Sequence, residues 1–186
     1  ASDYKVRIAA EVKDFDPLRF IEKSQLRKTD LFAQYAAGAA AMAMKDSGLA
    51  VFNDDLKGDV SLCGIAPERL GVYVGSGIGG MNTFVREVNK LSDGGPNTVS
   101  PFFVPMMIGN IAAGTIAIRY GATGVNLPVV TACATGSHSI GEAYLAIRHG
   151  RADAVIAGGC EAAVNALSIA GFTNCMALSK RNDPES

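Results

Sequence analysis

Little in this chain would draw it to nucleic acid, membrane or metal. Its 17 basic side chains stand against 18 acidic ones, a net charge of −1, so no long-range field attracts nucleic acid or an anionic bilayer. Every apolar run is interrupted by glycine, a polar residue or a charge before it reaches the roughly 20 residues of a membrane span. The first residues form no basic-then-apolar leader, and the expected compartment is the cytoplasm. Only two histidines occur, His138 and His149, and the four cysteines, Cys63, Cys133, Cys160 and Cys175, contain no C-x-x-C pair. A zinc site is therefore not expected. At 186 residues and 48% hydrophobic composition the chain can build a core without disulfide staples, so the thiols are read as reduced.

What is present is an alternation of short apolar runs and amphipathic segments. The stretch "YKVRIAAEVKDFDP" alternates well enough to predict a surface strand ending at Pro17. Asp30 should cap a helix whose Leu31, Tyr35, Ala39 and Met42 share a face and which Gly48 closes. Residues 53–69 read as a polar surface excursion. "LGVYVGSGIGG" reads as a buried strand breaking into a glycine-rich turn, followed by a helix over residues 81–91. "SDGGPNTVSP" is a loop, "FVPMMIGNIAAGTIAIRYG" one small-residue helix ended by Gly121, and "VNLPVVTAC" a strand. A further helix carries Ile140, Tyr144 and Ile147 on one face and stops at Gly150, and "ADAVIAGG" supplies another buried strand. Continuous apolar strands between helices predict an α/β fold, a mainly parallel sheet covered by helices on both faces. The polar tail "SKRNDPES" reads as a loop interrupted in mid-course.

Three constellations carry chemistry. Gly75, Gly77 and Gly80 satisfy G-x-G-x-x-G between a strand and a helix, which admits a dinucleotide site. No second strand with an acidic end follows at the required distance, and a tight turn with close backbone approach explains the same glycines. Cys133 stands where a strand gives way to the first turn of a helix. There unpaired N–H groups and the helix dipole favour negative charge, the setting of a nucleophilic thiolate. Cysteine is equally at home as a buried, inert thiol, and the residues alone leave both readings open. Neither histidine is a convincing base for it: His138 lies five residues along the same helix and points away, and His149 sits at the helix end. Glu161, after a buried strand, reads as a paired structural carboxylate or a functional one. The other three cysteines read as packing or surface thiols.

Several separate blocks, "GSGIGG", "SPFFVPMMIGNIAAG", "TACATGSHSIGEAYLAIRHGRADAVIAGGCEA" and "GFTNCMALSKRNDPE", occur in the order and spacing of one family. Through them the chain resembles the β-ketoacyl-(acyl-carrier-protein) synthases, on the side of the type II elongating enzymes. The resemblance implies a thiolase-like fold, two similar halves stacked in five layers within a homodimer. Residues 1–186 would form a partial first half, without its opening strand and without the C-terminal half. It implies that Cys133 is the acylated nucleophile, that Ile78 gates the acyl pocket, that Phe172 walls it, and that Phe103 reaches it across the dimer. The implied reaction is a decarboxylative condensation with malonyl-carrier protein that needs no cofactor or metal and has the acyl carrier protein as partner. The decarboxylating histidines, their supporting lysine and a phenylalanine of the oxyanion hole belong to the other half. The 186 residues are therefore expected to be inactive alone, and poorly folded, aggregated or partner-bound. A thiolase acting on coenzyme A thioesters, a non-catalytic chain-length partner subunit and a dinucleotide-binding module are the alternatives.

Overall fold

The computed structural model describes residues 3–53 and 56–183, so the last three residues of the polar tail and positions 54–55 of the polar excursion lie outside it. The chain divides into two units. One spans Asp16–Ala162; the other combines residues 3–15 with 163–183.

The larger unit begins with a short helix α1 (Lys23–Leu26) and the long α2 (Leu31–Asp46). Asp30, itself buried, ties two helices together. One carboxylate oxygen accepts from the Phe32 N–H at 3.3 Å, and the other from the Thr83 N–H at 2.7 Å. It thus satisfies orphan donors in the first turns of both α2 and α3 (Met81–Gly94). The buried stripe of α2 is Phe32, Ala33, Ala36, Ala37, Ala40, Ala41 and Met44, not the predicted one: Ala39 and Met42 face solvent. A helix so rich in alanine offers an apolar stripe in every direction, and close approach of neighbours selects the smallest side chains.

β1 (Ala50–Phe52) and β2 (Val60–Leu62) form a two-stranded antiparallel ribbon, the second strand of which lies within the predicted polar excursion. The central pair is β3 (Leu70–Gly75) and β4 (Ala154–Gly159), parallel and in register from Leu70↔Ala154 to Gly75↔Gly159. Strand alternation divides their side chains between two layers. Leu70, Val72, Val74, Ala154 and Ile156 join the cluster built on α2 and α5 (Ile111–Tyr120), while Tyr73, Val155 and Ala157 meet Ala143 and Ala146 of α6 (Thr135–Arg148). Helices thus cover both faces, as expected of the α/β class.

Two predicted elements are corrected here. "VNLPVVTAC" does not form a strand: it touches β3 through one bridge, with Val72 N–H donating to Val125 and Leu127 N–H to the Val72 carbonyl, 2.9 and 3.0 Å. Pro128 then has no N–H to continue a ladder. The predicted helix over 103–121 is two, α4 (Phe103–Met107) and α5, because the Met107 carbonyl is taken by the Gly80 N–H at 2.9 Å. Gly121 closes α5 in the left-handed conformation, as expected.

In the smaller unit, α7 (Ala166–Asn174) is capped by Asn165, whose side chain accepts from the Ser168 N–H at 2.9 Å. Residues 4–13 form no strand, correcting that expectation. Their polar groups go instead to side-chain and carbonyl partners: Arg7 N–H donates to Asn182 Oδ1, Asn182 Nδ2 to the Lys5 carbonyl, and Tyr4 to the Ala166 carbonyl, at 2.7, 3.0 and 3.2 Å.

Candidate active site

Cys133 is exposed and sits on a single 3-10 turn, Ala132–Ala134, that runs directly into α6. Ala132 has φ +51°, a conformation rarely adopted by residues other than glycine and often found where a functional side chain is held out of register. The turn is braced from within. Thr135 Oγ1 accepts from the Thr131 N–H at 2.9 Å, the Ala134 N–H donates to the Thr131 carbonyl at 3.1 Å, and Thr131 Oγ1 lies 2.6 Å from His138 Nδ1. The imidazole of His138 therefore bonds a residue of the turn, two positions before the thiol. Cys133 is not a buried thiol.

Glycines let this turn settle on the carboxyl ends of the strands. A methyl group at Gly75 would stand 2.0 Å from the Val129 carbonyl oxygen, and one at Gly159 would stand 2.9 Å from Gly136 Cα at the start of α6. Neither contact leaves room for a side chain. Gly136, at the start of α6, is thus spent on packing against β4.

The turn "GSGIGG" lies beside the thiol's turn, with Gly77 facing the Ala132 carbonyl and Glu161 Oε2. The N–H groups of positions 78–80 are already occupied. Ile78 donates to Glu161 Oε2 at 3.1 Å, Gly79 to Ser76 Oγ at 2.8 Å and Gly80 to the Met107 carbonyl at 2.9 Å. Ser76, buried, also donates to Glu161 Oε1 at 3.2 Å. A phosphate would find no free amide at positions 78–80, so the dinucleotide alternative loses its binding chemistry. Glu161 is the structural carboxylate that fixes this turn.

Ile78 lines a pocket of about 140 Å³ together with Gly80, Met81, Phe84 and Met107, and the Phe103 ring stands 6.5 Å from Phe84, centroid to centroid. Phe172 lies in α7, in the smaller unit. Ser76, Thr131, Thr135 and Phe84 escaped sequence reasoning. The two threonines flanking Cys133 at equal spacing were a usable signal, while Ser76 and Phe84 depend on contacts with distant segments. Among the other thiols, Cys63 and Cys175 are exposed and Cys160 is half-buried, its Sγ 3.5 Å from the Gly75 carbonyl. Burial, reinforced by the Glu161 charge, pushes that thiol up to about 12. The described residues hold no cluster of three metal-ligating side chains and no helix long and apolar enough to cross a membrane.

Residues 2–186 match the model of the β-ketoacyl synthase N-terminal domain. The chain is 45% identical, over 98% of its length, to a 3-oxoacyl-[acyl-carrier-protein] synthase 2 of Coxiella burnetii, and spans 42% of that relative. A crystal structure of a β-ketoacyl synthase from Burkholderia phymatum superposes with a TM-score of 0.79 at 26% identity, over 97% of this chain and 42% of the other. A type II PKS ketosynthase, solved with its acyl-carrier protein and bound to the hexaketide, gives a TM-score of 0.74 at 28% identity, over 87% and 43%. The fold is that of the thiolase-like ketosynthases, over about two fifths of their length, and the chain belongs to the β-ketoacyl synthase family, whose N-terminal domain it carries.

Proposed function

We propose that these residues are part of a 3-oxoacyl-(acyl-carrier-protein) synthase of fatty-acid elongation, with Cys133 as the acylated nucleophile. The observation that carries the proposal is the exposed thiol on a strained, braced turn at the start of α6, where the carboxyl ends of two parallel strands meet. The Cys133 sulfur attacks the thioester carbonyl of an acyl-carrier protein, forming a new thioester and expelling the phosphopantetheine thiol. Malonyl-carrier protein then loses carbon dioxide; the enolate carbon attacks the Cys133 thioester, and the sulfur leaves as a carbon–carbon bond forms. Splitting the reaction in two avoids bringing three partners together at once.

Ile78 and Phe103 are proposed as acyl-pocket residues, supported by the apolar pocket at Ile78 and the pairing of Phe103 with Phe84, and Phe172 as a further wall on family resemblance alone. A homodimer, a carrier-protein partner and a cytoplasmic setting belong to the same proposal. Residues 1–186 supply the nucleophile and part of the pocket, within a partial first half of the duplicated fold; decarboxylation is assigned to histidines elsewhere in the enzyme.

Incubation of the purified chain with decanoyl-carrier protein should place one hydroxylamine-labile decanoyl group on the Cys133 peptide, absent from Cys133→Ser. An adduct on Cys160 or Cys175 instead, or none, would refute the assignment. Adding malonyl-carrier protein should yield no 3-oxoacyl product from residues 1–186 alone; appreciable product would overturn the division of labour.

A further inference from the structure

Thr131 is held by its N–H, its carbonyl and its hydroxyl, and only the last reaches beyond the turn that carries Cys133. The N–H donates to Thr135 Oγ1 at 2.9 Å, and the carbonyl accepts from the Ala134 N–H at 3.1 Å. Both bonds are local and close the turn on itself between residues 131 and 135. The hydroxyl lies 2.6 Å from His138 Nδ1, a side chain further along α6. Among the described residues, no other hydrogen bond of Thr131 reaches past Thr135.

The helix end that carries His138 is itself anchored. Thr135 and Ser139 are buried, and Gly136 packs on Gly159 of β4. A side chain on a helix so seated is a fixed post, and a short turn needs such posts to keep one conformation. This turn needs them more than most. Ala132, at φ +51°, occupies a region that residues with a Cβ avoid and that persists only where the surroundings over-determine it. The imidazole has no other commitment among the described residues: His138 is exposed, it enters no ion pair, and its ring makes one hydrogen bond, to Thr131.

A hydroxyl both donates and accepts, while Nδ1 accepts in one tautomer and donates in the other and in the charged ring. The link therefore holds in every form of the imidazole, with the proton on one side or the other, and acts as a brace that does not depend on charge. We infer that His138 is a positioning residue for Cys133: through the Thr131 hydroxyl it holds the turn that presents the thiol at the start of α6. The inference rests on the reading of Cys133 as the nucleophile, since only a sulfur that must be aimed has use for a turn held this closely.

Iodoacetamide alkylation of the native 186-residue chain, with rates resolved thiol by thiol in peptide mass spectra, tests the brace. In His138→Ala, Cys133 should react about fivefold more slowly, since a sulfur that leaves a helix N-terminus loses the dipole's support for the attacking anion. Cys63 and Cys175, exposed elsewhere, should keep their rates, and Cys160 should stay protected. His138→Asn, whose amide stands at the level of Nδ1 and can donate or accept, should restore most of the Cys133 rate. Thr131→Val, isosteric but without the hydroxyl, should slow Cys133 as much as His138→Ala does, and the double variant should slow it no further. An unchanged Cys133 rate in His138→Ala, no recovery in His138→Asn, additive slowing in the double variant, or a shift of all four thiols together would each overturn the inference. Decanoyl transfer from the carrier protein is read separately: its absence in the unsubstituted chain would refute Cys133 as the acylated residue and leave the order of alkylation rates standing.

Discussion

Cys133 and Cys160 are both reduced thiols near the carboxyl ends of the central strands, and their surroundings set them apart. Cys133 is open to solvent; Cys160 is held as a neutral thiol by burial, up to about 12. Iodoacetamide at pH 8 should therefore alkylate Cys133 in the native chain and spare Cys160, and peptide mass spectrometry should find Cys160 modified only after denaturation. Raising the pH to 10 should not change that pattern. Glu87 poses the opposite case, a buried carboxylate held at about 2 by the Ser100 N–H at 2.8 Å, against the cost of its burial and with help from Lys90 and Arg86. Its folded value lies below its unfolded one, so its contribution is complete above pH 4.5 and is lost as pH falls toward 2. Glu87→Ala should cost about 2–3 kcal/mol by urea denaturation at pH 7, a gap that closes on acidification. The two cations are nearly half exposed, so salt should erode only their part of it.

Among the elements, the contact of α6 on β4 is the most exacting. Gly159→Ala would press a methyl onto the Gly136 backbone at 2.9 Å, and since neither partner is a flexible side chain the helix must move. The expected cost is about 1–3 kcal/mol, together with slower alkylation of Cys133, whose turn is continuous with the first residues of α6; an unchanged rate would show that the turn does not depend on that seat. β3 and β4 were legible in the sequence because strands covered on both faces read as unbroken apolar runs. The faces of α2 and α6 were not, since periodicity alone favours large side chains and these helices bury small ones. The break between α4 and α5 was hidden as well, being imposed by a glycine turn some thirty residues earlier in the chain. At the site, the position of Cys133 just before a helix was legible, but the strand expected to lead into it does not form, and the exposure of the thiol was not legible. That depends on the positive φ of Ala132 and the hydrogen bonds of Thr131, neither of which leaves a periodic trace.

At the scale of the whole molecule, α6 stands inside-out. Thr135, Ser139, Ala143 and Ala146 are buried against the sheet, while Ile140, Tyr144 and Ile147 are 59%, 58% and 45% exposed. Apolar surface of this kind on one helix face marks an interaction site or an aggregation hazard. The isolated chain should bind a hydrophobic dye and self-associate with rising concentration in sedimentation, and Ile140→Lys with Tyr144→Lys should abolish both without lowering the unfolding midpoint. A clean wild-type monomer that excludes the dye would contradict this. The same helix then offers a record of its natural company. In a saturation-mutagenesis library selected for synthase activity, residues 140, 144 and 147 should reject polar replacements as firmly as any core residue. In a library of the 186 residues selected only for folding, those three positions should welcome them, and the difference between the two maps would outline whatever surface the helix meets in the working enzyme.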